Sequence, residues 1–376
     1  MAQAQTAKPR LLSLDFFRGV TVAAMILVNN PGDWDNIYAP LEHSKWNGCT
    51  PTDLVFPFFL FIVGVSIVFA MGSKKADPAL HTKAILKAFR RSITIFALAL
   101  FFSLIPKFDF STVRIMGVLP RIAIVFFIST VLYIKLTRKA LVWIFAIILV
   151  AYYILMNFVP VPGYGPSNLE PGTNLAAWLD RIILTENHMW NQTKTWDPES
   201  VLSTLPAIST GLFGVLTGMW LQHKDKTDAE KVSWMFSIAA ISIVAGLIWN
   251  GFFPMNKALW TSSFVLYVGG LALAAFALCY WFIDVQGHKK FTKPFVVYGA
   301  NAITVYIVSG YLPWLLDFVK VKQNGNRIGI LGALYNGVFI PNFSPINASL
   351  VWAILYVLIF MPPLWWMYNK KIFIRI

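Results

Sequence analysis

Two of the five histidines in this sequence stand where a base could act on a substrate. His43 and His188 lie in stretches rich in tryptophan, asparagine and acidic residues, whereas the other three lie in basic stretches. Imidazole is the side chain that exchanges a proton near neutral pH without any perturbation, so His43 is the sharpest candidate for a general base. The alternative is a loop histidine that bonds only to the backbone.

Polar residues near His43 and in later loops could complete a site around it. Asp53 or Glu42 could fix the tautomer of the imidazole, and Trp46 and Asn47 follow His43 in the same loop. Further candidates for substrate or cofactor binding lie in later loops: His188, Asp197, Glu199, Asn256 and Lys257. The Asp197-Pro198-Glu199 run also has a simpler interpretation, because acids and proline are common in the first turn of a helix.

Three arginines, Arg18, Arg114 and Arg121, fall inside predicted helices, where a charge is costly and is a functional candidate. Arg121 could pair with a buried carboxylate such as Asp53, or it could clamp a phosphate or carbonyl group. Arg18 stands three residues after Asp15. That pair could be an ordinary helix-surface ion pair, or it could line a cytoplasmic entrance that receives an anion.

Several well-known sites are absent from the sequence. It has no GxxxxGK[ST] loop, no GxGxxG, no HExxH and no GxSxG, which gives no support for a nucleotide-hydrolysing pump, a zinc protease or a serine hydrolase. Two cysteines exclude a disulfide scaffold or a cysteine-based zinc module. We therefore expect no metal.

The elements that must position these residues are membrane-spanning helices. The 376 residues are 57% hydrophobic and only 13% charged, against about 25% charged in soluble domains. A bilayer core of about 30 Å needs roughly 20 apolar helical residues. Ten segments qualify within a few residues: 11–29, 52–71, 91–105, 113–134, 140–159, 201–221, 233–252, 259–283, 294–314 and 346–368. We predict an all-α polytopic membrane protein with a single transmembrane domain, 1–376, in which 327–341 is re-entrant or interfacial.

The distribution of charge predicts the orientation. The formal net charge is +14, and 20 of the 31 Lys and Arg residues fall on the side that holds both termini, against 8 on the other. The positive-inside rule then places both termini in the cytoplasm, and His43 on the outer side. In an apolar chain this rule explains the basic excess better than nucleic-acid binding does, so the expected partner is the lipid bilayer.

Six blocks of the sequence together resemble one family. They are SLDFFRG (13–19), ILVNN (26–30), HSKWNGCTPTDLVFPFFLFIVGVS (43–66), LPRIA (119–123), DPESVLSTLPAI (197–208) and PMNKALWTSSFVL (254–266). In this order they are similar to the heparan-α-glucosaminide N-acetyltransferase family, and the ten predicted helices fit its bacterial NagX-like members. Two positions depart from the family pattern: Ser200 stands where glycine is usual, and Ala258 where asparagine is frequent.

The resemblance implies an enzyme that acetylates across a membrane. Cytosolic acetyl-CoA would be the donor, and the amine of a terminal glucosamine on the outer side would be the acceptor. The family's active-site histidine matches His43, its helix-1 asparagine matches Asn29, and its acidic motif matches Asp197 and Glu199. A homodimer in a bacterial inner membrane is also implied.

Two chemistries and two other classes of function remain open from the sequence. His43 could act as a general base in direct transfer, or it could itself be acetylated in a ping-pong reaction. Asn29 could orient His43 or donate to the thioester oxyanion. Candidates for holding the phosphate or carbonyl groups of acetyl-CoA are Arg18, Arg121, Asn256 and Lys257. The competing classes are an O-acyltransferase of envelope glycans or lipids, and a sugar or solute transporter without acyl chemistry.

Overall fold

The computed structural model describes residues 11–105, 108–323 and 325–374. It is mostly helical, which confirms the all-α class. Lys8, Arg10, Lys107 and Arg375, which enter the loop-charge argument, lie outside the described residues. The helices are α1 Leu12–Asn29, α2 Val55–Lys75, α3 His81–Leu104, α4 Val118–Lys135, α5 Arg138–Phe158, α6 Leu175–Ile183, α7 Thr204–Leu221, α8 Asp228–Asn250, α9 Ser262–Tyr280, α10 Lys293–Ala300, α11 Ala302–Asp317, α12 Ile330–Leu334, α13 Pro345–Ile359 and α14 Met361–Asn369, and the strands are β1 Lys320–Gln323 and β2 Asn326–Gly329.

Within the described residues, eight helical stretches are long and apolar enough to cross a membrane. A ninth is added if α10 and α11, which meet at an angle of 80°, form one broken span. These nine coincide with nine of the ten predicted segments. The tenth, 91–105, is the second half of α3, whose first half carries the lysines and arginines of the sequence between His81 and Arg91.

Two helix starts differ from the sequence prediction. Helix α4 begins at Val118 after Gly117, so Arg114 lies in the preceding loop and not in a helix. Helix α7 begins at Thr204, so Asp197 and Glu199 lie several residues before it. The expectation that these acids cap a helix start is wrong, because they bond to an arginine instead, as described below.

The chain divides into two compact units. Of the described residues, the first unit contains 11–36 and 275–374, and the second contains those between Ile37 and Ala274. In the second unit α2 and α7 pack with their backbones in close contact. A Cβ atom on Gly214 would lie 2.0 Å from the carbonyl oxygen of Phe61, and one on Gly64 would lie 2.0 Å from that of Gly211. Small residues are what allow helices in a membrane to approach this closely.

The first unit is built around α1. The Asp284 carboxylate accepts hydrogen bonds from the backbone N–H groups of Leu12 and Ser13 and so caps the start of this helix. A Cβ atom on Gly19 would lie 1.7 Å from the carbonyl oxygen of Phe295, so α1 and α10 are in backbone contact.

A short hairpin in the first unit was not predicted. Strands β1 and β2 pair antiparallel, with Gln323 opposite Asn326. The sequence between them reads Asn-Gly, a strong hairpin signal that an all-helical interpretation overlooked. The predicted re-entrant or interfacial segment 327–341 consists of the end of β2 and a short apolar helix over Ile330–Phe339. Its relation to the bilayer stays a prediction.

Candidate active site

His43 and Asp53 form the centre of the site in the second unit. His43 lies in the loop before α2, and Asp53 lies in the single turn Pro51–Leu54 that leads into this helix. Nδ1 of His43 is 2.7 Å from Oδ1 of Asp53. The side chain of His43 is 45% exposed and that of Asp53 is 1% exposed. Because a carboxylate can only accept, Nδ1 carries the proton, and in the neutral ring the lone pair is on Nε2.

Asp53 is held rigidly by its own loop. Its Oδ2 accepts hydrogen bonds from the backbone N–H groups of Ser44 and Thr50, at 3.1 and 3.0 Å, and from the Thr50 hydroxyl at 3.1 Å. The carboxylate therefore closes the loop that carries His43 and fixes the plane of the imidazole. This contact replaces the alternative of a histidine bonded only to the backbone, and the exposed Glu42 makes no contact with the ring among the described residues.

A second loop, between α8 and α9, is attached to the His43 loop. Gly48 donates its backbone N–H to the Met255 carbonyl at 2.7 Å, and the Asn256 amide donates to Asn47 Oδ1 at 3.2 Å. Gly48 has φ of +126°, which favours glycine over other residues. Asn256 Oδ1 also accepts from the Leu259 N–H, which turns its own loop. Asn256 is thus a structural link between two loops and is fully buried.

This second loop brings Lys257 to the imidazole. Lys257 Nζ lies 3.1 Å from Nδ1 and 3.3 Å from Nε2 of His43, and 3.7 Å from Oδ1 of Asp53. Its side chain is 22% exposed. Burial lowers the pKa of Lys257, and the carboxylates of Asp53 and Glu199 act against that change. The sequence suggested Lys257 as a ligand of acetyl-CoA, and the structure places it against His43 and Asp53.

Cys49, which lies close to the His43–Asp53 pair (the dyad), is not a reactive thiolate. Burial and the nearby Asp53 carboxylate raise the pKa of the Cys49 thiol to about 12. Only the thiolate is strongly nucleophilic, so Cys49 is protonated at neutral pH and is a poor acyl acceptor. His43 is left as the candidate nucleophile or base of this loop.

A second charged cluster lies beside the first. Arg114 binds Asp197 with two hydrogen bonds, Nε to Oδ2 at 2.9 Å and Nη2 to Oδ1 at 2.6 Å, and Nη2 also reaches Glu199 Oε2 at 2.6 Å. Burial alone would lower the pKa of Arg114, but the carboxylates of Glu199 and Asp197 outweigh burial, and the pKa is raised. A guanidinium matched to two carboxylates in this way is a strong, geometrically specific contact.

The two acids of this cluster are not equivalent. Asp197 also accepts from the backbone N–H groups of Trp190 and Glu199, at 3.0 and 2.9 Å, so four donor groups occupy its two oxygens. Glu199 uses one oxygen for Arg114, and the other accepts no hydrogen bond within the part of the chain that the structure describes. The Glu199 carboxylate also acts to raise the pKa of Lys257, against the effect of burial.

His188 and three tryptophans link the loops that carry the two clusters, and we call these four residues the wall. His188 Nδ1 lies 2.7 Å from the Val113 carbonyl, so it holds the loop that carries Arg114. The rings of Trp46 and Trp196 meet edge to face at 5.0 Å, and Trp196 contacts Trp190 at 6.2 Å. Trp46 donates its indole N–H to the Leu169 carbonyl at 3.0 Å.

Arg121 lies deeper in the same unit and is fully buried. Its Nη2 donates to the Ser200 carbonyl at 3.2 Å and to the Ser203 hydroxyl at 2.5 Å. Its guanidinium lies 4.9 Å from the ring centre of Trp260, whose φ of +51° is unusual for a bulky residue. The expected alternative of an ion pair with Asp53 is wrong, because Asp53 binds His43 and Lys257. Within 11–105, 108–323 and 325–374, the Nε and Nη1 groups of Arg121 have no hydrogen-bond partner.

Sequence reasoning missed Asp180. It lies in the short helix α6, is fully buried, and accepts from the Ser200 hydroxyl at 3.1 Å and from the Val201 N–H at 2.9 Å. Burial raises the pKa of Asp180 to about 6, although both hydrogen bonds act in the opposite direction. A detectable signal existed, because Asp180 falls on the same helical stripe as the buried Ala176 and Ala177.

Two predicted site residues belong to the first unit. Asn29 is the last residue of α1 and is exposed. Arg18 donates to Asp15 at 3.0 Å, which is the predicted i, i+3 pair. Of the residues predicted for the site, the second unit brings together His43, Asp53, Trp46, Asn47, Asn256, Lys257 and, through Lys257, Glu199. Among the described residues, no group of three His, Cys, Asp or Glu side chains is arranged to hold a metal ion.

Comparisons with known proteins agree with this architecture. Residues 10–249 match the family model described as heparan-alpha-glucosaminide N-acetyltransferase, catalytic. A protein of that name from Mus musculus is 29% identical over 361 residues, covering 81% of this chain and 54% of its own length. Its Homo sapiens counterpart is 27% identical over 372 residues, covering 84% and 55%. The chain thus spans about half the length of these curated relatives. The matched range includes His43, Asp53, Arg114 and Glu199, and the match shows that the chain belongs to the heparan-alpha-glucosaminide N-acetyltransferase family.

Proposed function

We propose that this protein is a transmembrane acetyltransferase, which moves the acetyl group of cytosolic acetyl-CoA to the amine of a glucosamine-type sugar on the outer side of the membrane. The observation that carries the proposal is the His43–Asp53 pair, in which a buried carboxylate fixes Nδ1–H and an exposed ring offers Nε2. Family membership supports acetyl transfer to an amino sugar. The loop-charge asymmetry supports the direction across the membrane.

In direct transfer, the neutral amine of the sugar attacks the thioester carbonyl carbon. Nε2 of His43 removes a proton from the attacking nitrogen, the C–S bond breaks, and the CoA thiolate takes a proton from the imidazolium. The products are an amide and free CoA. Proton transfer by a positioned histidine typically contributes about 10²–10⁴-fold to the rate, and the Asp53 carboxylate stabilises the imidazolium that forms.

In ping-pong transfer, Nε2 attacks the thioester first and leaves acetyl-His43 and CoA. The sugar amine then attacks the acetyl carbon, the bond from that carbon to Nε2 breaks, and the proton lost by the nitrogen balances the one taken up by the CoA thiolate. Single-turnover experiments without acceptor distinguish the two routes. CoA release together with a labelled His43 peptide supports the ping-pong route. The absence of both signals supports direct transfer.

We place the acceptor sugar between the two charged clusters. Trp46 offers an aromatic face, Asn47 is exposed beside His43, and the Glu199 oxygen that is not bound to Arg114 can receive an ammonium or hydroxyl group. The Asp197 oxygens are occupied by other donors and His188 is bonded to the backbone, so we assign to both the positioning of this wall.

For the donor, Arg121 is the best-supported contact. Among the described residues its Nε and Nη1 groups are buried without partners. They suit neutral acceptors such as a thioester or amide carbonyl better than a phosphate, which would carry its charge into the protein interior. Asn29 as oxyanion donor and Arg18 as a phosphate contact near the cytoplasm rest on the resemblance and on topology. Asn29→Ala and Arg18→Ala, assayed for acetyl-CoA affinity and for turnover separately, test them.

We further propose a homodimer in a bacterial inner membrane, on the family resemblance alone. Multi-angle light scattering of the detergent-solubilised protein tests the dimer, since a mass of one chain after subtraction of the detergent contradicts it.

The first experiment uses purified protein in proteoliposomes with labelled acetyl-CoA and free glucosamine. The assay compares wild-type protein with His43→Ala and with a matched variant, His288→Ala. The matched variant changes an exposed histidine of the first unit. We expect labelled N-acetylglucosamine from wild type and His288→Ala. The amount from His43→Ala should be smaller by about a hundredfold or more. Equal product from the wild type and both variants would remove His43 from the chemistry.

The competing functions give different results in the same assay. An O-acyltransferase accepts a sugar whose amine is already acetylated, so transfer to N-acetylglucosamine identifies it. A transporter shows uptake of sugar or solute without acyl transfer and without acetyl-CoA binding. Supplying acetyl-CoA on only one side of the vesicles, after the orientation of the protein is fixed by protease mapping, tests the direction of transfer.

A further inference from the structure

Lys257 is a charged group in contact with His43 that neither transfer route uses. The resemblance and the sequence suggested a phosphate or carbonyl contact for it. Its amine instead lies against the imidazole and forms an ion pair with Asp53, at 3.7 Å.

The distances show that Lys257 does not block the lone pair of His43 Nε2. Nζ is nearly equidistant from the two ring nitrogens, at 3.1 and 3.3 Å. A point equidistant from Nδ1 and Nε2 lies beside or above the ring, away from the in-plane lone pair of Nε2. Nδ1 cannot accept a hydrogen bond from Lys257, because it donates its own proton to Asp53. The contact is therefore electrostatic, and Nε2 stays open to substrate.

We propose that Lys257 is a positioning residue, which disfavours protonation of the free imidazole of His43 and so keeps Nε2 available as base or nucleophile. The reason is charge. Asp53 alone would favour the imidazolium, because a carboxylate at 2.7 Å stabilises a positive ring. A second cation at about the same distance opposes this effect. The proposal rests on the proposed function in that it takes His43 as the reacting group.

The charged or titratable groups that face this pair come from three elements. In the His43 loop they are Cys49 and, next to His43 in the sequence, Glu42. In the turn before α2 it is Asp53, and in the loop before α7 it is Glu199, which acts electrostatically on Lys257. Glu42 is exposed and the Cys49 thiol is uncharged at neutral pH. The balance at the ring is therefore set chiefly by Asp53 and Lys257.

The loop that carries Lys257 supports this role. Asn256, next to it, is bonded to Asn47, and the Met255 carbonyl is bonded to Gly48, so the cation is fixed relative to the His43 loop. Such anchoring is unnecessary for a lysine that reaches out to a mobile ligand.

Two pH profiles test the proposal, one of which is independent of acetyl transfer. The first is kcat/KM for transfer to glucosamine. The second is the rate at which diethyl pyrocarbonate, which modifies neutral imidazole, carbethoxylates His43, followed by mass spectrometry of the peptide that contains residue 43. Both are measured for wild type, Lys257→Met and Lys257→Arg. The control is Lys45→Met, which removes an exposed charge two residues from His43.

We expect Lys257→Met to move the midpoint of both profiles upward by about one pH unit or more, which is about tenfold slower modification on the acid side. Lys257→Arg keeps the charge, and Lys45→Met lies in solvent, so both retain the wild-type midpoint. Unchanged midpoints in Lys257→Met, with His43 still accessible, overturn the proposal and leave Lys257 a structural role. If no variant transfers acetyl groups but the carbethoxylation midpoint still moves, the inference about Lys257 stands and the proposed function fails.

Discussion

Replacing Asp180 by asparagine should stabilise the protein relative to wild type, and this gain in the free energy of unfolding should be larger at neutral pH than at acidic pH. Asp180 is fully buried, and its pKa is raised from 3.8 to about 6, so the folded state holds this proton more tightly than the unfolded state. Stability from this group is therefore present below about pH 4, is lost as the pH rises to about 6, and stays lost above it. The full effect is about 3 kcal/mol, because a pKa difference of one between the two states corresponds to about 1.36 kcal/mol.

Asparagine keeps the contacts and removes only the charge. The side-chain oxygen that accepts from Ser200 and Val201 can be retained, and the other oxygen of Asp180 has no partner to lose among the residues described. Of the total effect, about 2 kcal/mol falls between about pH 4.5 and about pH 7.5, because at the lower pH the carboxyl of the unfolded chain is already mostly deprotonated.

The assay is unfolding in mixed detergent micelles at these two pH values, for wild type, Asp180→Asn and the control Asp225→Asn, which changes an exposed carboxylate. We expect Asp180→Asn to gain about 2 kcal/mol on wild type between the lower and the higher pH, whereas Asp225→Asn changes little. A gain of the same size in both variants would show that the pH effect is not specific to Asp180. A loss in Asp180→Asn at neutral pH would show that Asp180 is charged in the folded state and balanced by Arg121.

Three further predictions concern the site and the packing. Asp53→Asn should lower kcat by about 10²–10⁴-fold with little change in KM, because the imidazole loses its tautomer and its orientation; a loss below about tenfold would refute the dyad. Arg114→Lys should raise the KM for the acceptor about tenfold while His43 carbethoxylation stays normal, because a lysine cannot bind two carboxylates side by side; an unchanged KM would separate this cluster from the acceptor. Gly214→Ala should abolish folded protein on gel filtration, since its Cβ would lie 2.0 Å from the Phe61 carbonyl, whereas Gly310→Ala, whose Cβ would meet no described atom within 4 Å, should fold normally; equal yields would contradict the close packing of α2 and α7.

Family and fold class follow from the sequence because their signals are local. Long apolar runs have one stable form in a bilayer, since the backbone must satisfy its own hydrogen bonds there. The family motif around His43 is contiguous, and it includes Asp53 ten residues away. Both were therefore readable without any tertiary information, and so was the choice of His43 over the histidines of the basic stretches.

The partners of the charged residues did not follow from the sequence. Helix-capping rules suggested a helix start for Asp197 and Glu199, but Arg114, which is 83 positions before Asp197, binds both. A pair with a buried carboxylate such as Asp53 was one of two alternatives for Arg121, and the arginine bonds to Ser200 and Ser203 instead. Each carboxylate has several cations within reach in principle, and only the packing of loops selects one.

The helical membrane class, the family and the candidate reacting histidine could all be read from the chain alone, because each depends on residues that are neighbours in it. The three-dimensional fold was needed to show that Lys257, 214 positions after His43, lies against its ring, and that Asp180 is buried beside Ser200. These contacts depend on how loops between helices dock on one another. The energy of docking comes from burial and hydrogen bonds summed over many distant residues, and no short stretch of sequence contains that sum.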